Sequence, residues 1–295
     1  MSGGNMKEFT YNWDYTKDEP ILKISKSSMG SFNWCPMKYQ FSYIEGRKTD
    51  QTEAMLKGST VHNSREDWFN QVDIAKAEDM SEQELKVYFM SLYPIDGYSD
   101  IYSVMASNSA SLFLHAKSED KVDDFLPVVN EVMLDAEIVI PKDINPKVPL
   151  HQDYTVHLQG IIDRMYIENN QYIPMELKTG IWKDYKKTNM RKEMAFYKML
   201  YDNCPNEILI ENGLDPNNDI THWGWYYPES NYTYVEPIKK SSTNAVLRAM
   251  TNLCKAYEDR IDGEKDFPAK FYAKTCSQYC DFYSICPAAL DDGWV

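Results

Sequence analysis

From Val132 to Ile140 every second residue is apolar: Val132, Leu134, Ala136, Ile138 and Ile140 alternate with more polar neighbours. A period of two marks a strand with one face in a core. Two further strand patterns follow, Thr155 to Ile167 and Tyr172 to Lys178, and then a helix rich in Lys and Arg, about Asp184 to Tyr201. A second strand pair is expected at His222 to Tyr227 and Tyr232 to Pro237, with Ser241 or Ser242 capping a helix from about Thr243 to Ile261. Ahead of the strands, Ser25 or Ser27 caps a helix reaching Gly46, and another helix runs from about Val61 to Gln71. Helices, three strands, a helix, two strands and a helix describe an α/β domain with a central mixed sheet flanked by helices. At 295 residues, such a domain buries a core without disulfides.

Residues 1–22 read as a flexible tail, polar and acidic through Pro20, with nothing resembling a signal peptide. No apolar run approaches the length of a membrane span, so a soluble, cytoplasmic protein with no membrane partner is expected. Residues 23–295 read as a single domain, with 72–126 an acidic, mostly helical insertion broken near Pro94 and Gly97.

The formal net charge of −14 argues against a nucleic-acid partner, but the charge is unevenly spread. Residues 61–140 hold 16 acidic and 5 basic side chains, whereas residues 178–198 hold 7 basic and 2 acidic. Within that basic strip, Lys183, Lys187 and Arg191 are four apart and share a face if helical. Such a face can track a phosphate backbone, with Trp182 and Tyr185 as stacking surfaces for unpaired bases, or it is an ordinary solvated face.

The segment Gly160-Ile161-Ile162-Asp163-Arg164 is followed by Met175-Glu176-Leu177-Lys178-Thr179-Gly180. Glu176 and Lys178 are two apart on a strand and point the same way. An antiparallel partner strand brings the Asp163 carboxylate beside Glu176. Two converging carboxylates suit Mg²⁺ or Mn²⁺. A lysine beside that metal can orient or deprotonate a water, or stabilise charge on an attacked phosphate. Phosphodiester hydrolysis requires this combination. The surrounding Ile161, Ile162, Tyr172, Ile173 and Leu177 place the charges deep in the domain, where unpaired charge is costly.

Residues 268–290 are rich in cysteine, with Cys276, Cys280 and Cys286 spaced Cys-x3-Cys-x5-Cys. Three clustered thiols in a chain of this size point to bound metal, and a tetrahedral cage needs a fourth. Four thiolates suit zinc or an iron–sulfur cluster. Cys204 and Cys254 lie apart from this motif and read as buried free thiols.

These motifs together resemble one family. Ser31-Phe32-Asn33-Trp34-Cys35-Pro36-Met37-Lys38-Tyr39 is similar to the N-terminal cysteine helix of RecB/AddB-type nucleases and CRISPR-associated adaptation nucleases. Lys57-Gly58-Ser59-Thr60-Val61-His62 resembles their Gly-x-x-x-His element, and Glu131 opens a strand as an acidic residue does there. The Asp163 and Glu176–Lys178 segments resemble the two catalytic strands of this PD-(D/E)XK, restriction-endonuclease-like fold. The resemblance runs from about Lys23 to Pro287. It implies that His62, Asp163, Glu176, the Leu177 carbonyl and, at the margin, Glu131 bind the divalent metal, with Lys178 as catalytic lysine. It also nominates Cys35 to complete a structural 4Fe–4S cluster with Cys276, Cys280 and Cys286. The helix Arg191-Lys192-Glu193-Met194-Ala195-Phe196-Tyr197 resembles a Gln-x-x-x-Tyr element, with Glu193 where glutamine is usual and Tyr197 as a substrate contact.

The expected function is a metal-dependent DNase, an exonuclease acting on single strands or ends in recombination, repair or processing. With no helicase motif, it would act alone or beside a helicase or recombination partner. The rivals are an inactive DNA-binding or assembly subunit that keeps the fold and cluster, and a zinc-bound interaction module.

Overall fold

The alternating segments pair with one another. In the computed structural model, which describes residues 21–263, 266–291 and 293, β2 (Val129–Ile140), β3 (Tyr154–Glu168) and β4 (Gln171–Leu177) form an antiparallel run. β5 (His222–Tyr227) lies parallel to β4, and β6 (Tyr232–Pro237) returns antiparallel to β5. Residues 1–20 of the expected tail lie outside the described residues, but its last two begin a strand. This strand, β1 (Ile21–Ser25), pairs parallel with the first part of β3. Five residues are too few to display a period, and the last of them, Ser25, is also the expected helix cap. The six strands form one mixed sheet ordered β1-β3-β4-β5-β6, with β2 also paired to β3.

The Ser25 side chain accepts from the Ser28 N–H, and the Ser28 side chain accepts from the Ser25 N–H, a reciprocal cap that starts α1 (Lys26–Trp34). The continuous helix expected to Gly46 is interrupted at Cys35, whose backbone is extended (φ −156°). Pro36 then opens α2 (Pro36–Tyr39), which runs into a π-helical turn, Gln40–Ile44. A proline fits a first helical turn and not an interior. Four helices follow: α3 (Glu53–Gln71), α4 (Ile74–Glu78), α5 (Glu82–Ser91) and α6 (Ser99–Ser118). Between β4 and β5 lie α7 (Lys187–Asn203) and α8 (Asn206–Glu211), and after β6 come α9 (Lys240–Gly263), α10 (Ala273–Tyr279) and α11 (Pro287–Asp291).

Two apolar cores share the sheet. The larger joins Leu22, Leu158 and Trp223 of the strands to Phe196 and Leu200 of α7 and Leu253 of α9. The second belongs to α3 and the insertion, with Trp68, Phe89, Tyr102 and Phe113 buried together, and reaches the sheet at Leu177, Tyr166 and Tyr226. The acidic insertion is therefore a packed layer with its charges turned outward. Among the described residues, no helix is long and apolar enough to cross a membrane.

Close approach constrains two glycines differently. A Cβ on Gly160 would stand 3.2 Å from Leu200 Cδ2 and 3.4 Å from Phe196, both side-chain atoms of α7 and not backbone. A Cβ on Gly224 would collide with the Met175 sulfur and stand 2.7 Å from the Tyr234 carbonyl oxygen, which the sheet holds in place. Gly224→Ala should therefore lower unfolding free energy by about 1–3 kcal/mol, the usual cost of overpacking, and Gly160→Ala by less. Urea unfolding of both variants checks this, and equal losses would contradict the packing described.

Candidate active site

The β3–β4 register pairs Arg164 with Met175, so one step along the ladder sets Asp163 opposite Glu176. Both carboxylates are buried, at 6% and 3% exposure. Asp163 Oδ2 accepts the Leu177 N–H at 2.9 Å, which fixes its side chain against the end of β4. Two buried carboxylates repel one another, and the surrounding groups answer that charge.

Glu176 Oε1 lies 2.6 Å from Lys178 Nζ and 2.5 Å from Lys26 Nζ. Burial alone would raise the Glu176 carboxyl, but the two ammonium groups overcome it and hold it down at about 2. Lys178 Nζ is also 2.9 Å from Glu193 Oε2. Burial disfavours its charge, yet Glu176 and Glu193 together hold Lys178 above the usual lysine range. In this arrangement Lys178 offers a positive charge at neutral pH and is a poor proton acceptor.

Across Asp163 stands His62, from the middle of α3. Its Nε2 is 3.0 Å from Asp163 Oδ2 and its Nδ1 is 3.2 Å from Glu131 Oε1. Burial works against the imidazolium, but these carboxylates win and raise the His62 pKa. The Glu131 carboxyl is pushed up to about 7, chiefly by burial, with Asp163 adding repulsion and His62 opposing it. Glu131 also sits in left-handed backbone, φ 56°, within β2. That conformation costs a non-glycine residue roughly 1–2 kcal/mol and aims its side chain off the regular pleat.

One nitrogen and two oxygens, from His62, Glu131 and Asp163, lie within 4.8 Å of one another. His62 and Asp163 open with Glu176, Leu177 and Lys178 onto a cleft of about 370 Å³. Glu176 Oε2 is buried there with no hydrogen-bond partner. A mostly oxygen donor set with an unused buried acceptor fits a hard divalent cation.

Lys26 is a member of this site that sequence reading misses. It is the first residue of α1, and its ammonium also lies 3.7 Å from Glu193 Oε2 and 4.7 Å from the centre of the Tyr197 ring. The capping serine ahead of it signals a helix start but says nothing of what the lysine meets. Glu193, a departure from glutamine, supplies a second countercharge to Lys178.

The basic strip is arranged differently from expectation. Lys183 precedes α7, so it does not continue the helical face of Lys187 and Arg191. Lys187 Nζ donates to the Tyr234 hydroxyl at 2.6 Å and sits over that ring. Arg191 makes a two-pronged bond to Glu236, 2.5 Å on each oxygen, which neutralises its charge. Tyr197 is 1% exposed and packed under Lys26, so it cannot touch a substrate directly. Its place in the pattern is a core position of α7.

The six cysteines are all free thiols. Cys204 and Cys254 lie in the larger core, while Cys35, Cys276, Cys280 and Cys286 line one small cavity beside Met37, Phe41 and Phe282. The backbone N–H groups of Lys270 and Tyr272 donate to the sulfurs of Cys35 and Cys276, each at 3.4 Å.

The model of the PD-(D/E)XK nuclease superfamily matches residues 23–287. The chain is also 29% identical over 140 residues to an ATP-dependent helicase/nuclease subunit from Clostridium perfringens (strain 13 / Type A), a match covering 47% of this chain and 10% of that protein. The chain thus spans about a tenth of the length of that curated relative. A solved structure described as that of SSO0001 is 16% identical, covering 80% of this chain and 97% of its own, with a TM-score of 0.32, too low an overlap to bear on the fold. Matched from Lys23 in β1 to Pro287 beyond the last cysteine, the chain belongs to the PD-(D/E)XK nuclease superfamily.

Proposed function

We propose that this chain is a metal-dependent DNA nuclease that hydrolyses phosphodiester bonds. The observation that carries the reading is the convergence of His62, Glu131 and Asp163 donor atoms within 4.8 Å, beside buried Glu176 and its lysine. His62, Glu131, Asp163, Glu176 and the Leu177 carbonyl would hold Mg²⁺ or Mn²⁺. Such an ion supplies Lewis acidity to a phosphoryl oxygen and lowers the pKa of a bound water. The protein does the rest by position. Asp163 is fixed by the Leu177 amide, and Glu176 is kept ionised by two lysines. Lys178 presents its charge where a non-bridging phosphate oxygen would gather negative charge.

Lys183 and Lys187, which follow the cleft residues Lys178 and Thr179 in the chain, are the candidates for backbone contacts. Tyr185, 73% exposed, offers a stacking surface for an unpaired base. These features support action on single strands or ends, as an exonuclease in recombination, repair or processing. Similarity to a helicase/nuclease subunit supports a helicase acting beside this chain.

The four clustered cysteines, in this reading, hold a 4Fe–4S cluster. Their shared cavity, apolar wall and amide-to-sulfur bonds suit cluster thiolates. Four thiolates also suit tetrahedral zinc, and metal analysis separates the two.

Asp163→Ala, Glu176→Ala and Lys178→Ala should each cut cleavage of end-labelled DNA with Mn²⁺ by at least about 10²–10³-fold, with circular dichroism unchanged. Wild-type rates in all three would overturn the site. Reversing Lys183 and Lys187 to Glu should weaken DNA binding and reduce its salt slope by about one or more. The same reversal of Lys142 and Lys147 should do little, and equal effects from both pairs would show that net charge alone matters. Cys35→Ser or Cys280→Ser should bleach anaerobically purified protein and lower its melting temperature. Cys35 and Cys276 enclose nearly the whole domain, a closure worth about 5 kcal/mol on the disulfide scale. Stoichiometric zinc in a colourless, stable protein would exclude the cluster.

A further inference from the structure

Among the described residues, the buried charges are paired, with two exceptions. Asp163, Glu176, Glu236 and Glu258 each have a basic group within 4 Å. Arg65 and Arg164 are buried as deeply, at 7% and 3% exposure. Among the described residues, neither has a carboxylate within that distance. Arg65 donates to the Tyr93 hydroxyl at 2.6 Å and the Ser109 hydroxyl at 3.0 Å, both neutral groups, and its Nε has no partner. Arg164 leaves both Nε and Nη2 without acceptors. It faces the Phe69 ring, 5.2 Å away, which Arg65 also covers at 4.3 Å. Buried guanidinium donors without acceptors or an ion-pair partner are costly, so two such side chains at one place point to an anionic partner that arrives from outside.

Both arginines line a cavity of about 590 Å³ between α6 and the strands β3 to β6, beneath the insertion and apart from the metal-binding cleft. Asp163 and Arg164 are neighbours on β3, but the first lines the cleft and the second lines the cavity. The cavity wall is aromatic as well as basic, with Phe69, Phe125, Tyr166 and Tyr226 around the arginines. The acidic residues that border it, Glu119, Asp124 and Glu168, are exposed to water. A planar fork of donors matches phosphate oxygens, and an aromatic wall accepts a flat ring.

We propose that this cavity binds a phosphorylated nucleoside, its phosphate on Arg65 and Arg164 and its base against the aromatic wall. The source is either a free nucleotide or the terminal nucleotide of a DNA strand. The site requires no metal and does not rest on the nuclease reading. It is tested on the full-length protein in EDTA, where metal-dependent cleavage is silent, by calorimetric titration. dAMP should bind saturably, deoxyadenosine should not, and inorganic phosphate should bind at least tenfold more weakly than dAMP. Arg164→Met should abolish dAMP binding while leaving the ligand-free melting temperature unchanged or higher, because it removes an unpaired buried charge. Arg65→Gln, which keeps donors to Tyr93 and Ser109, should weaken binding at least tenfold. If 5′-phosphorylated oligonucleotides compete with dAMP and 5′-hydroxyl ones do not, the ligand is a strand end; if neither competes, it is the free nucleotide. Absence of dAMP binding, or binding unchanged in both variants, overturns the proposal. So does an Arg164→Met protein that is destabilised yet binds normally, which would make the arginine a strut.

Discussion

Asp163 and Glu176 are negatively charged groups held side by side in the interior, and the region around them is organised by that repulsion. Neither can be solvated at its depth, so compensation comes from the chain. Lys26 arrives from the first helix, Lys178 from the end of β4 and His62 from α3. Glu193 then balances the excess of lysine. Five segments distant in sequence are thereby fixed to one point. A buried ion pair adds little net stability by itself, but removing one member strands the other. The centre is thus a constraint on how helices meet the sheet more than a source of folding energy.

The parts of this centre carried by period were legible in the sequence. Asp163 and Glu176 fall on strands recognisable from their apolar residues, with Lys178 one residue past the second, so their convergence follows from pairing β3 with β4. Lys26 was not legible, because its role depends on a packing angle between α1 and the sheet that no local pattern records. Its strand β1 was hidden for a related reason, being five residues long and ending on the serine that caps the next helix. Tyr197 and Arg191 show the converse error. Counting basic and aromatic residues along α7 suggests a binding face, but Glu236 on β6 and the core claim those side chains. Arg164 lay in plain view next to Asp163 and carried no signal of its own, since burial without a partner is visible only in three dimensions.

The insertion has more than a covering role in this architecture. Its helices build a separate apolar core and meet the sheet at Leu177, Tyr166 and Tyr226, next to residues that shape both the cleft and the arginine-lined cavity. β3 is the element common to both sides. Its 15 residues pair with β1, β2 and β4, and its side chains enter both the larger core and the insertion core.

Helix α1 joins two places usually considered apart. Its first residue, Lys26, touches Glu176, and the residue that ends it, Cys35, lines the cysteine cavity. Nine helical residues make a rod of about 13 Å, too short to bend appreciably. The two ends are therefore held a fixed distance apart: the helix that seats Lys26 on Glu176 also sets where Cys35 stands in the cysteine-lined cavity, so neither place can be built without the other.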